Sequence, residues 1–231
     1  MSVIGIIPAR KNSKRLPGKN TINLAGKPLI EYTFESVSAC LNLDRIILTT
    51  DDPRCIEIAH NFPRIEVPFI RPDEISNDKS TDLDVFQHVL NFLLDEGDSP
   101  QLLVHLRPTS PLRTTQHIDL GVEMLRTNPG FTSLRSVAPS EVSIFKLYNI
   151  IDDKLESPIP GASEFKNYPD QLLPKTYRHV GYVDIVWSKT LIQSNSMTGD
   201  KIMPYIIADA MAGINSLSDL KRYEAKIAAH S

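Results

Sequence analysis

Short apolar runs alternate with longer amphipathic ones from residue 3 to residue 127, and nothing else in the chain restricts its fold as strongly. "VIGIIP" (3–8) is continuously apolar, as a strand covered on both faces must be. "KPLIEYTFESVSAC" (27–40) carries apolar residues at helical spacing, with Pro28 suited to a first turn. "RIILTT" (45–50) reads as a second buried strand and "IEVPFI" (65–70) as a third. "TDLDVFQHVLNFLLDEG" (81–97) predicts a helix with Val85, Val89, Phe92 and Leu93 on one side and Gly97 at its end. "QLLVHL" (101–106) predicts a strand and "TQHIDLGVEMLRT" (115–127) a helix. This is the pattern of an α/β protein with a mainly parallel sheet.

In such sheets ligands bind beyond the carboxyl ends of the strands. Two polar loops, 9–20 and 107–114, follow predicted strands and should open on one rim. The first, within "IIPARKNSKRLPGKN", gathers Arg10, Lys11, Lys14, Arg15 and Lys19, with Gly18 permitting close backbone approach. Backbone N–H groups and cations at a strand exit suit phosphates. Neither GxxxxGK[ST] nor GxGxxG is present, so the loop is a phosphate site of another kind or a solvated basic loop.

The pattern changes after about residue 137. "SIFKLYNIIDDKLESPI" predicts a hairpin turned at Asp152-Asp153, and the segment 157–176, with Pro158, Pro160, Pro169 and Pro174, predicts a long excursion. "VGYVDIVW" (180–187) and "KIMPYII" (201–207) return to strand character, and "SLSDLKRYEAKIAAH" (216–230) predicts a closing helix capped by Ser216. The 231 residues suit a single domain. A net charge of −3 argues against nucleic acid as a partner. No apolar run approaches the roughly 18 residues that cross a bilayer, and "MSVIG" reads as a strand and not as a leader. Cys40 and Cys55 form no CxxC pair, which fits free buried thiols in a reducing cytoplasm.

"IIPARKNSKRLPGKN" followed by "LAGKPLIEYT" resembles the N-terminal signature of the acylneuraminate cytidylyltransferases, the CMP-sialic acid synthetases. "RPDEIS" (71–76), "LRPTSPLRT" (106–114) and "VGYVDI" (180–185) stand where that family has further motifs. The resemblance implies a Rossmann-like nucleotidyltransferase fold, with a mainly parallel sheet and a protruding dimerisation segment at 140–176 of a homodimer. It implies that a nine-carbon 2-keto acid sugar attacks the α-phosphate of CTP through its anomeric hydroxyl, releasing pyrophosphate, with Mg²⁺ as cofactor. Arg10 and Lys19 would be the catalytic cations. Lys14, Asn20, Arg71 and Asp82 would join Arg10 at the nucleotide, and Arg107, Lys146 and Arg178 would meet the acidic sugar.

Several positions depart from the family pattern. Arg107 stands where the family has Gln, as a bidentate donor to a substrate anion or as a loop arginine bonded to a backbone carbonyl. Arg113 reads as structural. Val180 replaces an Asn, Asp170 aligns near a sugar-binding Arg, and Asp82 replaces a Ser, with a helix N-terminal role as its alternative. The family's Asp-Ile-Asp-Thr run aligns with "AGINSLSDL", so Gly213 and Asn215 take the places of two magnesium carboxylates, leaving Asn215 and Asp209 as weak metal candidates. Asp51 and Asp52 read as helix caps before a metal pair, His88 and His117 as helix-edge residues, His105 as buried or ligand-facing, and Trp187 as core. Two alternatives stay open: the same fold acting on another sugar or nucleotide, and a nucleotide-binding protein without turnover.

Overall fold

The computed structural model describes residues 2–229, so the expected last residue of the closing helix, His230, lies outside the described residues. In chain order the elements are β1 (Val3–Ala9), β2 (Asn23–Leu24), β3 (Lys27–Pro28), α1 (Leu29–Ser38), β4 (Arg45–Thr50), α2 (Pro53–Ala59), β5 (Ile65–Glu66), α3 (Asp82–Asp95), β6 (Leu102–His105), α4 (Thr115–Thr127), β7 (Ser133–Pro139), β8 (Asn149–Ile151), β9 (Lys154–Glu156), β10 (Tyr177–Trp187), α5 (Ser188–Ser194), β11 (Ile202–Ile206) and α6 (Leu217–Ala228). Seven strands form the central sheet in the order β11-β7-β10-β6-β1-β4-β5. Only β10 runs antiparallel to its neighbours, so the sheet is mainly parallel, as expected.

β1 is apolar throughout because helices cover both of its faces. Val3, Ile7 and Ala9 join a core with Phe34, Val37, Ile118 and Val122, while Ile4 and Ile6 join another with Phe86, Val89, Leu93 and Leu191. The period of two along one strand thus feeds two cores. Asp52 caps α2 by accepting from Arg54 N at 3.1 Å, and Ser216 caps α6 by accepting from Asp219 N at 3.2 Å. Trp187 is core, and Cys40 and Cys55 are buried free thiols, each pushed up to about 12, by burial first.

Three expectations are corrected. The strand expected over 65–70 holds only Ile65 and Glu66, because Pro68 brings no N–H to the ladder; a single bridge, Thr50 to Ile70, follows. Pro28 caps α1 from outside its first turn. β7 and α5 were not foreseen: "SLRSVAP" has no continuous apolar run, and β7 is set by its pairing with β10 and β11 on either side. The hairpin does turn at Asp152 and Asp153, both at positive φ, and β8 and β9 make a ribbon separate from the central sheet.

The chain leaves β1 through α1 to β4 and β5, then returns to add β6 on the other side of β1. The β1/β6 boundary is therefore the point where strand order reverses, and the loops leaving these two strands flank the crevice.

Candidate active site

The loops after β1 and β6 line one cleft of about 730 Å³, together with the segment 71–85, the stretch 179–181 of β10, and residues 212–215. That volume suits a ligand of nucleotide size. The structure brings Arg10, Lys14, Arg15, Lys19, Asn20, Arg71, Asp82, Arg107 and Asn215 together there. It does not bring Lys146, Arg178 or Asp209 to the lining. Lys146 donates to the carbonyls of Lys166 and Tyr168 within the excursion, and Arg178 Nη2 donates to Ala210 O at 2.7 Å.

The basic loop is pinned at both ends. Lys11 N donates to Asp51 Oδ1 at 2.6 Å, and the buried Asn20 amide donates to Arg10 O at 3.0 Å. Gly18, at φ 65°, turns the chain into the short helical turn that carries Lys19 and Asn20. Burial, then the neighbouring Arg15 and Arg10, lower the Lys19 ammonium below its ordinary range. Cations crowded this way gain from an anion placed among them. Arg71 is buried and bonded to Thr49 Oγ1 at 3.1 Å, and burial lowers it to about 10. One carboxylate already meets the loop: Asp78 lies 3.0 Å from Arg10 and 2.6 Å from Lys14.

Beneath the lining residues Arg107 and His179 lies Asp184, 3% exposed. It accepts from Arg107, from Arg135 Nη1 at 2.6 Å and from His179 Nε2 at 2.8 Å. Burial pushes its carboxyl up, but the His179 hydrogen bond and the Arg107 and Arg135 guanidiniums outweigh that and hold it well below the carboxylate range. The sheet builds this cluster: Asp184 sits opposite His105 on β6 and opposite Arg135 on β7. Between His179 and Asp184 the β7–β10 register slips, with Gly181 at φ 69° inside the irregularity. The bulge folds His179 back onto the carboxylate of its own strand.

Arg107 therefore bonds to carboxylates and not to a backbone carbonyl; its second nitrogen lies 2.9 Å from Asp82. Asp82 opens α3 behind the Thr81 cap, as its helix N-terminal alternative expected, and it also lines the cleft. Arg113 is structural: it donates to the Arg107 and Tyr182 carbonyls at 3.0 and 3.2 Å and to Thr33 Oγ1 at 2.7 Å, tying rim loop, β10 and α1 together. His105 lies buried in the cleft wall with both nitrogens unpartnered, and burial drives it down to about 3.

The resemblance drawn from the sequence implies Mg²⁺ as cofactor. The residues aligned with the expected magnesium carboxylates do not fit that ion. Gly213 has no donor, and Asn215 Oδ1 lies 3.5 Å from the Lys19 ammonium, which opposes a second cation. Among the described residues no cluster of three or more His, Cys, Asp or Glu could hold a metal, and Asp78 and Asp82 are already paired with basic side chains.

Sequence reasoning missed Asp78, Arg135, His179 and Asp184. Of these, Asp184 alone had an available signal, a carboxylate within the run 180–187 read as a strand, where a buried charge needs a partner.

Comparison with known proteins agrees with the geometry. The cytidylyltransferase family profile matches residues 4–154. N-acylneuraminate cytidylyltransferase of Escherichia coli is 33% identical over 60% of this chain, an alignment that spans 32% of that relative's length. CMP-N,N'-diacetyllegionaminic acid synthase of Legionella pneumophila is 29% identical over 90% of this chain and 87% of its own. CMP:2-keto-3-deoxy-manno-octonic acid synthetase, solved with CTP, superposes over 100% of both chains with a TM-score of 0.72 at 17% identity, a likeness of fold. With the family profile covering most of the sequence and the basic loop placed at the strand switch, the chain belongs to the cytidylyltransferase family.

Proposed function

We propose that this cytidylyltransferase transfers CMP from CTP to a nonulosonic, sialic-acid-like 2-keto sugar, releasing pyrophosphate. The observation that carries the reading is one cleft lined both by a crowd of cations on the β1 loop and by Arg107 and His179, which bond the buried Asp184 of β10. The relatives' names supply the sugar class.

Arg10 and Lys19 bind the triphosphate and offset the charge that builds on its oxygens as the α-phosphorus changes partners. Lys14 adds to the field, while Asn20 and Arg71 form the wall that receives the nucleoside. Arg107 shapes the sugar end, with both its terminal nitrogens already engaged, and Asp82 stands with the groups that meet the nucleotide. No step is assigned to a protein-held magnesium.

The chain acts as one domain in a homodimer. The segment 140–176 is its arm, because Ile150, Leu155 and Leu172 stand 75%, 64% and 67% exposed there. Lys146 reaches a sugar only across that interface, and Arg178 acts by holding the 210 loop.

The test is pyrophosphate release from CTP, ATP, GTP or UTP with N-acetylneuraminic, N,N'-diacetyllegionaminic or pseudaminic acid. Turnover with CTP and one of these acids is expected, and it should fall at least about 100-fold in Arg10→Ala and Lys19→Ala. Release only with another nucleotide or with a sugar 1-phosphate overturns the assignment.

A further inference from the structure

The reaction leaves one proton without a destination, that of the attacking hydroxyl. Four groups lining the cleft could take it: Asp78, Asp82, His105 and His179. The Lys14 hydrogen bond, with Arg10 beside it, lowers the Asp78 carboxyl below its ordinary value. Burial raises Asp82, but the permanently charged Arg107 guanidinium 2.9 Å away answers it, so this carboxylate too is a weak base. His105 is 1% exposed, behind the cleft surface. His179 differs from all three. Its side chain is 47% exposed, it borders the cleft, and it is the one whose orientation a bulge enforces.

Its hydrogen bonding fixes the tautomer. Asp184 is an ionised acceptor, so Nε2, at 2.8 and 3.0 Å from the two carboxylate oxygens, is the protonated nitrogen, and in the neutral ring the lone pair lies on Nδ1. Asp184 does not need His179 for its own satisfaction, since Arg107, Arg135 and the Ser136 N–H already donate to it. The dependence runs the other way: a carboxylate locked by two guanidiniums holds an imidazole ready to accept a proton.

We propose that His179 is the general base of the nucleotidyl transfer, oriented by Asp184. This rests on the reading above. His179 Nδ1 takes the proton of the sugar's anomeric hydroxyl as that oxygen bonds to the α-phosphorus of CTP. The bond from the α-phosphorus to the oxygen bridging the β-phosphate breaks, and its electron pair leaves with pyrophosphate. The imidazolium then releases the proton to water, to which its half-exposed ring is open.

The experiment measures pyrophosphate release at saturating CTP and saturating acid from the panel above. In His179→Gln, kcat falls by about 100-fold or more while the Kd for CTP, from calorimetry, stays within about twofold. In His179→Gly, added imidazoles restore turnover, with a rate that rises with the basicity of the imidazole. A Gln variant within about threefold of wild-type kcat overturns the proposal. So does a Gly variant that binds CTP normally and ignores every imidazole, since a merely structural histidine would behave that way. Wild-type protein that releases no pyrophosphate with any pairing overturns the reading beneath as well, and the wild-type control separates that failure from loss of the base alone.

Discussion

Arg107 and Asp184 meet tip to tip, joining the loop after β6 to the middle of β10. The pair is buried on the Asp184 side and completed by Arg135 at 2.6 Å. Removing the carboxylate charge takes from Arg135 the one carboxylate it pairs with among the described residues. Asp184→Asn should therefore lower the unfolding free energy by about 3 kcal/mol. Arg107→Gln should cost about half as much, because Asp184 keeps Arg135 and His179. Urea denaturation of both variants and of the double variant measures this. The double variant should cost less than the sum, and strict additivity would mean that the two residues are not coupled.

His105 gives stability a pH dependence of predictable sign. Burial holds the folded imidazole at about 3, against 6.5 for the ordinary side chain. Between those values the unfolded chain binds a proton that the folded chain refuses. The contribution is complete above 6.5 and is lost as pH falls toward 3, at a slope approaching about 1.4 kcal/mol per pH unit. His105→Met should flatten the acid limb. Chemical unfolding of wild type and variant at several pH values across this window checks the difference in slope; parallel curves would refute it.

Asp78 occupies two of the cations proposed to meet the triphosphate. It bridges Arg10 and Lys14, while the neighbouring Asn77 carbonyl accepts from Arg10 Nη1 at 2.7 Å. An incoming nucleotide must displace this carboxylate. Asp78→Asn keeps the shape and removes the competing charge, so CTP should bind a few-fold more tightly, with a steeper loss of affinity as salt rises. Calorimetric titration at two ionic strengths reads both effects, and an unchanged Kd would show that Asp78 does not compete.

These sites differ in how far the sequence discloses them. Apolar period and cap residues announce β1, β4, α3 and α4 because each is set locally. The cation loop is equally visible, since five basic side chains lie within one strand exit. The β10 cluster was hidden because its partners are far apart in sequence: Arg135 and Asp184 are 49 residues apart and meet only through strand register. The irregularity at 179–184 was hidden for a related reason. Gly181 looks like any strand glycine until the β7 register shows where it slips. Asp78 stood in a polar loop whose charge is meaningful only beside Arg10 and Lys14.

The 213–215 loop bears on how the protein would manage the cation that its relatives' pattern calls for. Asn215 Oδ1 sits 3.5 Å from the Lys19 ammonium. An aspartate there would place a carboxylate beside the cation proposed to grip the triphosphate. Without a divalent metal, that carboxylate repels the nucleotide and competes for Lys19; with one, it supplies a ligand shared with phosphate oxygens. Asn215→Asp should therefore weaken CTP binding in EDTA and enlarge the gain in affinity that magnesium brings, relative to wild type. A carboxylate at the other position is sterically opposed, since a Cβ on Gly213 would lie 3.0 Å from Thr109 Oγ1 and 3.4 Å from the Thr109 carbonyl. Ile214 N also donates to that carbonyl at 2.9 Å, so the loop cannot simply back away. Gly213→Asp should then lower the thermal midpoint and leave the magnesium gain unchanged. Calorimetry with and without EDTA, with thermal melts alongside, decides it. Equal magnesium gains in wild type and Asn215→Asp would show that this loop does not face the triphosphate.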